Sequence, residues 1–259
     1  MEIEIFLSKN VEQNAGAYFD RAKKLKKKIP GIVKTIEAQK NKLLTFEKQD
    51  TNKIEKAIKV KKEWYEKFRW FISSDGFLVI GGRDSTTNEI IIKKFLEGND
   101  LVFHTELPGS PFVVIKNPES KSVPEQTILE AAEFCASFSK SWKSGRSNAE
   151  VYYINPDQVS KEAPSGTGHL ARGSFMIYGK RNYLNVAINI GLCIYNDRVI
   201  SGPIQAIKKL NNTFVEIIQG NDKLSDVAKR IRKILNTKIG FDEIIRALPP
   251  QCTIKWKKN

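Results

Sequence analysis

The sequence predicts an α+β protein: a basic antiparallel helical hairpin arm, then an α+β domain, then a small α+β C-terminal unit. Three observations carry this. Between residues 11 and 48 apolar side chains recur three, four or seven positions apart, which is a helical period. From Glu63 and Trp64 onward charge is mixed, and short apolar or aromatic runs are bounded by turn residues. Strand-like and helix-like segments then follow one another without strict alternation, the pattern of an α+β chain. A length of 259 residues admits one large domain or two modest ones. The expected boundaries are 1–63, 64–183 and 184–259.

In the arm, Leu25, Ile29, Val33, Ile36 and Leu43 form a narrow stripe, and Pro30 predicts a kink or break. Residues 49–52 read as a polar turn. A second helix follows with Ile54, Ile58, Tyr65 and Phe68 on one stripe, so the two helices predict a hairpin. Strands over 68–72 and 77–81 flank the turn sequence Ser73-Ser-Asp-Gly76. Thr86 and Glu89 have capping-box spacing for a helix through Leu96, and Ser122 and Glu125 for one ending near Trp142. The second helix turns Ile128, Ala132, Cys135 and Phe138 or Ser139 inward. Strands are expected at 101–105, 112–116, 150–154 and 174–178, the last two separated by a Gly/Ser loop. Further on, strands at 184–195 and 198–201 flank an Asn196-Asp197 turn. A helix over 203–210, a strand over 213–218, an amphipathic helix over 224–235, a short helix over 241–247 and a strand over 252–256 complete the chain.

Charge is the most informative bulk quantity. Forty-three Lys and Arg against 29 Asp and Glu give +14. Residues 21–62 hold 15 Lys and Arg against only Glu37, Glu47, Asp50 and Glu55, so +11 sits in one sixth of the chain. Such crowding costs self-repulsion that a polyanion relieves, and nucleic acid is the partner it favours over a merely solvated helix face or an anionic membrane. The longest apolar runs are four residues, far below the roughly 18 a membrane span needs. No signal peptide is expected at the N-terminus. Cys135, Cys193 and Cys252 lie far apart and the chain has two histidines, so neither a disulfide framework nor a zinc set is expected. The expectation is a reduced cytoplasmic protein with no cofactor and no metal.

The sequence Gly81-Gly82-Arg83-Asp84 follows a strand and precedes a helix. Two readings fit it. Its glycines let the backbone approach a phosphate at a helix N-terminus, with Arg83 as a clamp; or it is a strand-to-helix turn that Asp84 or Thr86 caps. Arg69, Arg83, Lys180 and Arg181 are candidate phosphate contacts. Lys140, Lys143 and Arg146 form a basic edge at a helix end, near Lys161 and Arg172, and Lys23, Lys24, Lys26, Lys27 and Lys28 line the arm. Trp70 and Trp142 are candidates for base stacking or for the core. Arg69 and Trp70 point to opposite strand faces, with the arginine expected outside. His104 reads as a satisfied core or capping histidine. A nuclease reading would gather Asp75, Asp84, Glu89, Glu106 and His104 around a metal; a scaffold reading would set the lysine arm against acidic proteins.

The stretch from Trp64 to Glu89 resembles the signature of the RNA-binding domain of the NFACT family, the NFACT-R domain. The resemblance continues through Asp100-Leu-Val-Phe-His-Thr-Glu-Leu-Pro-Gly109, Ser139-Lys-Ser-Trp142, the segment 153–161 and Gly173-Ser-Phe-Met-Ile-Tyr-Gly-Lys-Arg-Asn182. Asn14-Ala-x-x-Tyr18 and the lysine run resemble the start of that family's coiled-coil arm, and residues 184–259 its archaeal C-terminal segment. The resemblance implies an RNA-binding module, without catalysis of its own, on the large ribosomal subunit and tRNA in quality control of stalled nascent chains. The family's N-terminal half is missing from these 259 residues, so a fragment, a split protein or a separate N-terminal partner is implied. The family's His-Ala-Asp-x-His-Gly pattern is here His104-Thr-Glu-Leu-Pro-Gly109, with its Asp and second His changed.

Overall fold

A computed structural model of the chain describes residues 4–50, 63–107, 109–162, 171 and 173–255, with the side chains of 42–50 left out. The chain forms two compact units, Met1–Val60 and Lys61–Asn259.

The first unit is built on one 40-residue helix, α1 (Val11–Asp50). Asn10 caps it: Gln13 N donates to Asn10 Oδ1 at 2.7 Å, and Asn10 N donates back to Gln13 Oε1 at 3.2 Å. One turn later the Asn14 amide collects the preceding segment. Phe6 N donates to its Oδ1, and its Nδ2 lies 3.1 Å from the carbonyls of Phe6, Lys9 and Asn10. The Tyr18 hydroxyl donates to Glu4 O. The family-like residues Asn14 and Tyr18 thus tie the N-terminal segment onto the helix. Pro30 lies inside α1, so of the kink or break expected there, the break does not occur. Proline removes one interior N–H, and the flanking Lys, Leu, Ala and Gln residues are strong helix formers. Gln49 and Asp50 are helical rather than a turn. Residues 51–62, which carry most of the expected second helix, lie outside the described residues. Of its remaining stripe, Tyr65 and Phe68 belong to the core of the second unit instead.

The second unit holds two antiparallel sheets. β1 (Arg69–Ile72) and β2 (Leu78–Gly81) form the expected hairpin. With β3 (Leu101–Thr105), β4 (Val113–Ile115), β5 (Asn148–Ile154) and β8 (Asn182–Ala187) they make a six-stranded sheet in the order β1-β2-β4-β3-β5-β8. Both faces of this sheet are covered. Val79, Phe103, Val113, Ile115 and Val151 face one cluster with the helix α3 (Glu125–Ser137), while Ile80, Val102, Val114 and Tyr152 face another with Phe68, Ile91 and Phe112. Successive side chains point to opposite faces, so a strand buried on both sides needs an unbroken apolar run. That is why Val79-Ile80 and Val113-Val114-Ile115 lack polar alternation.

β6 (Val159–Ser160) and β7 (Met176–Ile177) form a small ribbon. The expected single strand over 184–195 is two strands in two sheets. β8 ends at Ala187, and β9 (Ile190–Tyr195) begins the second sheet with β10 (Arg198–Gly202), β11 (Phe214–Gln219) and β12 (Cys252–Ile254). Asn189 sits at the switch, accepting from Ile204 N and, through its carbonyl, from Ser137 Oγ. Asn196 and Asp197 have φ of 49° and 57°, the left-handed pair of a tight hairpin. α5 (Ile204–Leu210) packs into the cluster shared with α3, and α6 (Leu224–Ile234) and α7 (Phe241–Ala247) cover the other face of the second sheet. Residue 183 falls inside β8, and Cys193, Ile200 and Ile207 share a cluster with Phe71 and Val79. On α6, Val227 and Ile231 are buried while Ile234 is exposed.

One half-buried acid gives the fold a pH signature. Burial, with Glu130 adding repulsion, pushes the Glu133 carboxyl up to about 7. An acid whose folded value is raised supports folding below its unfolded value of about 4.3, and that support is lost as pH climbs through the folded value. Glu133→Gln should therefore raise the thermal midpoint at pH 8 by clearly more than at pH 5, measured by circular dichroism melts at both pH values.

Candidate nucleic-acid interface

The strand-to-helix turn is fixed from within. Gly81 is buried, with Phe134 and Val113 filling the space where a Cβ would stand. A Cβ on Gly82 would collide with the Asn88 amide, whose Oδ1 accepts from Phe112 N at 3.1 Å. Both glycines serve close packing of protein on protein. Asp84 is the N-cap of α2 (Ser85–Ile90), accepting from Thr87 N at 2.8 Å and from the Thr87 hydroxyl at 2.9 Å. The Thr87 N–H bond chiefly holds its carboxyl below the ordinary value. Of the two readings of this turn, the bonds of Asp84 are those of the capped strand-to-helix turn. The cap is Asp84 with Thr87, not Thr86 with Glu89; Glu89 instead accepts from Gly173 N at 3.0 Å and pairs with Lys93 at 2.8 Å. α2 continues as a wider turn over Ile91–Phe95. The second expected box, at Ser122, does not form either: α3 starts after Pro124 without a side-chain cap.

Arg83 is equally committed. Its Nε donates to Lys67 O at 3.1 Å, one terminal nitrogen to Phe68 O at 2.8 Å and the other to Arg246 O at 2.7 Å. Arg69 differs. One Nη donates to Gly82 O at 3.0 Å, the guanidinium lies 4.5 Å above the Phe138 ring, and its Nε is buried without a partner. No carboxylate is within ion-pair distance of it among the described residues. Burial, then the neighbouring Arg83, lower its pKa to about 10. Strand alternation predicts this arginine outside and Trp70 inside. Both are half-buried, Trp70 edge-on to Tyr65.

These groups border a cleft of about 740 Å³. Arg69, Gly82, Arg83 and Asp84 lie on one side. The end of β3, with His104 and Glu106, and the segment up to Phe112 form a second. Phe138, Ser139, Lys140 and Lys143 form a third, and Gly173–Ile177 with Arg181 a fourth. Ser139 caps the short helix α4 (Lys140–Lys143), accepting from Ser141 N at 3.1 Å. This cap breaks the expected long helix after α3 and leaves Lys140 and Lys143 exposed. Arg181 lies 4.9 Å above Tyr152 and pairs with Glu106 at 2.5 Å, which also accepts from the Tyr183 hydroxyl at 2.6 Å. The His104 ring packs on Phe112 at 4.5 Å, and its Nδ1 is 2.6 Å from Thr105 O. Burial lowers its pKa, so the ring is a neutral wall.

The other expected site residues are dispersed. Arg146 and Lys180 are exposed outside the cleft lining, and Lys23, Lys24, Lys26, Lys27 and Lys28 are exposed on α1. Arg172 lies outside the described residues. Lys161 holds the carbonyls of Ala171 and Ser174 at 2.9 and 3.0 Å. Trp142 is core, its Nε1 donating to Gln251 O. The acids of the nuclease reading are separately engaged. Asp75 accepts from Thr127, Asp84 caps, Glu89 holds Gly173 and Glu106 pairs with Arg181. No group of three His, Cys, Asp or Glu side chains suited to a metal occurs among the described residues. Phe138 was read from the sequence only as an inward-facing helix residue, and Phe175 was not singled out, since one Phe beside Ser and Met has no periodic signal.

Residues 67–179 match the family described as NFACT protein RNA binding domain. The chain is 37% identical over 203 residues to the archaeal Rqc2 homolog aRqcH of Methanocaldococcus jannaschii, covering 76% of this chain and 30% of that one. It is 41% identical over 177 residues to the human ribosome quality control complex subunit NEMF, covering 66% and 16%. Residues 67–179 belong to the NFACT RNA-binding domain family. A solved structure, the C-terminal part of the fibronectin/fibrinogen-binding protein from Streptococcus suis, matches with a TM-score of 0.40 and 22% identity over 71% of this chain and 77% of that one. The chain spans less than a third of the archaeal and human relatives. Within the matched NFACT segment lie Arg69, Arg83, His104, Lys140 and Lys143; Arg181, Arg246 and Pro250, which complete or brace the cleft, lie beyond it.

Two substitutions separate bracing from binding. Asp84→Ala should cost about 1 kcal/mol of stability, the usual worth of such a cap, in urea unfolding. Arg83→Ala removes three hydrogen bonds to carbonyls and should lower the melting temperature by several degrees. Its RNA affinity, measured at a temperature where it is folded, should stay within about threefold of the unaltered chain, since carbonyls hold all three nitrogens of that guanidinium.

Proposed function

We propose that this chain is an RNA-binding module of an NFACT protein that holds the large ribosomal subunit and tRNA during ribosome-associated quality control of stalled nascent chains. The observation that carries the reading is the cleft, in which a half-buried guanidinium lacks an acidic partner and two exposed lysines stand on the rim. A positive charge withdrawn from water without a counterion is costly, and a phosphate relieves that cost. The family description and the printed names of the relatives point the same way. The five exposed lysines between residues 23 and 28 add a diffuse, sequence-independent attraction to phosphates. In this reading the chain is a binder rather than an enzyme, it acts in the cytoplasm, and the rest of an NFACT protein is its partner, on the same polypeptide or a separate one. No described helix is long and apolar enough to cross a membrane.

Reversing charge at Lys23, Lys24 and Lys27 with Glu should weaken every RNA to a similar degree. It should also flatten the salt dependence by about 0.7 log units per log of salt for each single-strand phosphate contact removed. Fluorescence anisotropy between 50 and 300 mM salt reads both effects. Co-sedimentation with large ribosomal subunits should fall in the same variant. Unchanged sedimentation of that variant and of Lys140→Glu/Lys143→Glu would refute the reading.

A further inference from the structure

The chemistry of the cleft is narrower than attraction to phosphates in general. Its lining holds five cationic side chains, Arg69, Arg83, Lys140, Lys143 and Arg181, against two carboxylates, Asp84 and Glu106. Both carboxylates are spent, Asp84 on Thr87 and Glu106 on Arg181 and Tyr183. Two of the cations are spent as well, Arg83 on three carbonyls and Arg181 on Glu106. What remains for a ligand is Arg69, which has one hydrogen bond and no acidic partner, and the two exposed lysines of α4. Beside these charges the wall is aromatic. Phe138 lies under the Arg69 guanidinium, Phe112 meets Phe175 edge to face at 5.3 Å, and His104 packs on Phe112 as an uncharged ring. A volume of about 740 Å³ exceeds the needs of a lone phosphate and falls within the roughly 300–1,000 Å³ of sites that enclose a small organic ligand.

We propose that this cleft takes one unstacked nucleotide of single-stranded RNA, with its phosphate on Arg69, Lys140 and Lys143 and its base among Phe138, Phe112 and Phe175. The proposal rests on the RNA-binding reading and deepens it. A base inside a duplex keeps its faces covered by its neighbours, so only an unpaired or extruded nucleotide can enter a concave aromatic site. Arg69 suits this role because its planar fork bonds a phosphate along two directions, and here it is already held in place by Gly82 and Phe138.

The test uses the full chain, a labelled single-stranded RNA decamer, a blunt RNA duplex of equal length, and the competitors 5′-AMP and inorganic phosphate at constant ionic strength. The single strand should bind more tightly than the duplex. 5′-AMP should displace it at a concentration at least about tenfold below that of inorganic phosphate, in line with what one stacked base contributes. Phe175→Leu, which keeps an apolar side chain away from Arg69, should weaken 5′-AMP about tenfold and leave phosphate competition unchanged. Lys143→Gln, at an exposed position where folding is not at stake, should weaken both competitors. Melting curves accompany each variant. Equal competition by 5′-AMP and phosphate, or full 5′-AMP affinity in both variants, would overturn the nucleotide site while RNA binding itself stands. If 5′-AMP binds and the decamer does not compete with it, the site belongs to free nucleotides and the RNA assignment falls. Failure of both RNAs to bind at low salt would remove the RNA-binding reading and the site with it.

Discussion

Three hydrogen bonds from one guanidinium tie together separate segments of the second unit at the edge of the cleft. Arg83 stands at the exit of β2 and reaches the carbonyls of Lys67 and Phe68 before β1 and that of Arg246 at the end of α7. Each carbonyl would otherwise have to find water or another donor near a crowded interior. The same turn fixes Asp84 as a cap, brings Gly82 against the Asn88 amide and leaves the Gly82 carbonyl for Arg69. Arg69 is therefore positioned by a turn whose own polar groups are satisfied. Arg83 is bonded to three carbonyls, and Arg69, fourteen residues earlier, to one.

The electrostatic asymmetry of the cleft follows from that division. Burial and a second guanidinium nearby both act against the charge on Arg69, and the nearest acid, Asp84, is engaged elsewhere. An arginine keeps its proton under such pressure far better than a lysine would. The rim lysines on α4 remain in water, where they cost little and steer anions. His104 is lowered in pKa by burial and contributes a ring rather than a charge, in keeping with the core role its apolar strand suggests.

Much of the fold was legible because its signals are local. The Ser73–Gly76 and Asn196-Asp197 turns, α5, α6 and α7 and most strands follow from turn residues and periodicity that a few neighbours define. What escaped reading depended on distant partners. Asn189 ends one strand and starts another because Ser137 and Ile204 bond to it, and nothing in the run from Leu184 to Tyr195 announces a change of sheet. The capping boxes at Thr86 and Ser122 have the right spacing but lose to Asp84 and to a proline start. At the site, residue types were readable and roles were not. Arg69, Arg83, Lys140, Lys143 and Arg181 do line one cleft, but which of them carry spare donors depends on carbonyls and carboxylates up to 163 residues away. Pro30 shows the opposite limit: a single strong breaker was outweighed by the many helix formers around it.

The bond from Arg83 to Arg246 O, with Pro250 in the cleft wall and Trp142 bonded to Gln251 O, has a consequence for biosynthesis. These last parts of the cleft are translated after almost everything they touch. A growing polypeptide can pair β1 with β2 early, but the pocket closes only once α7 and the Gln251 segment have left the exit tunnel. A product that stops before α7 would thus carry the basic helix and a cleft that lacks its Arg246 bond and its Pro250 wall.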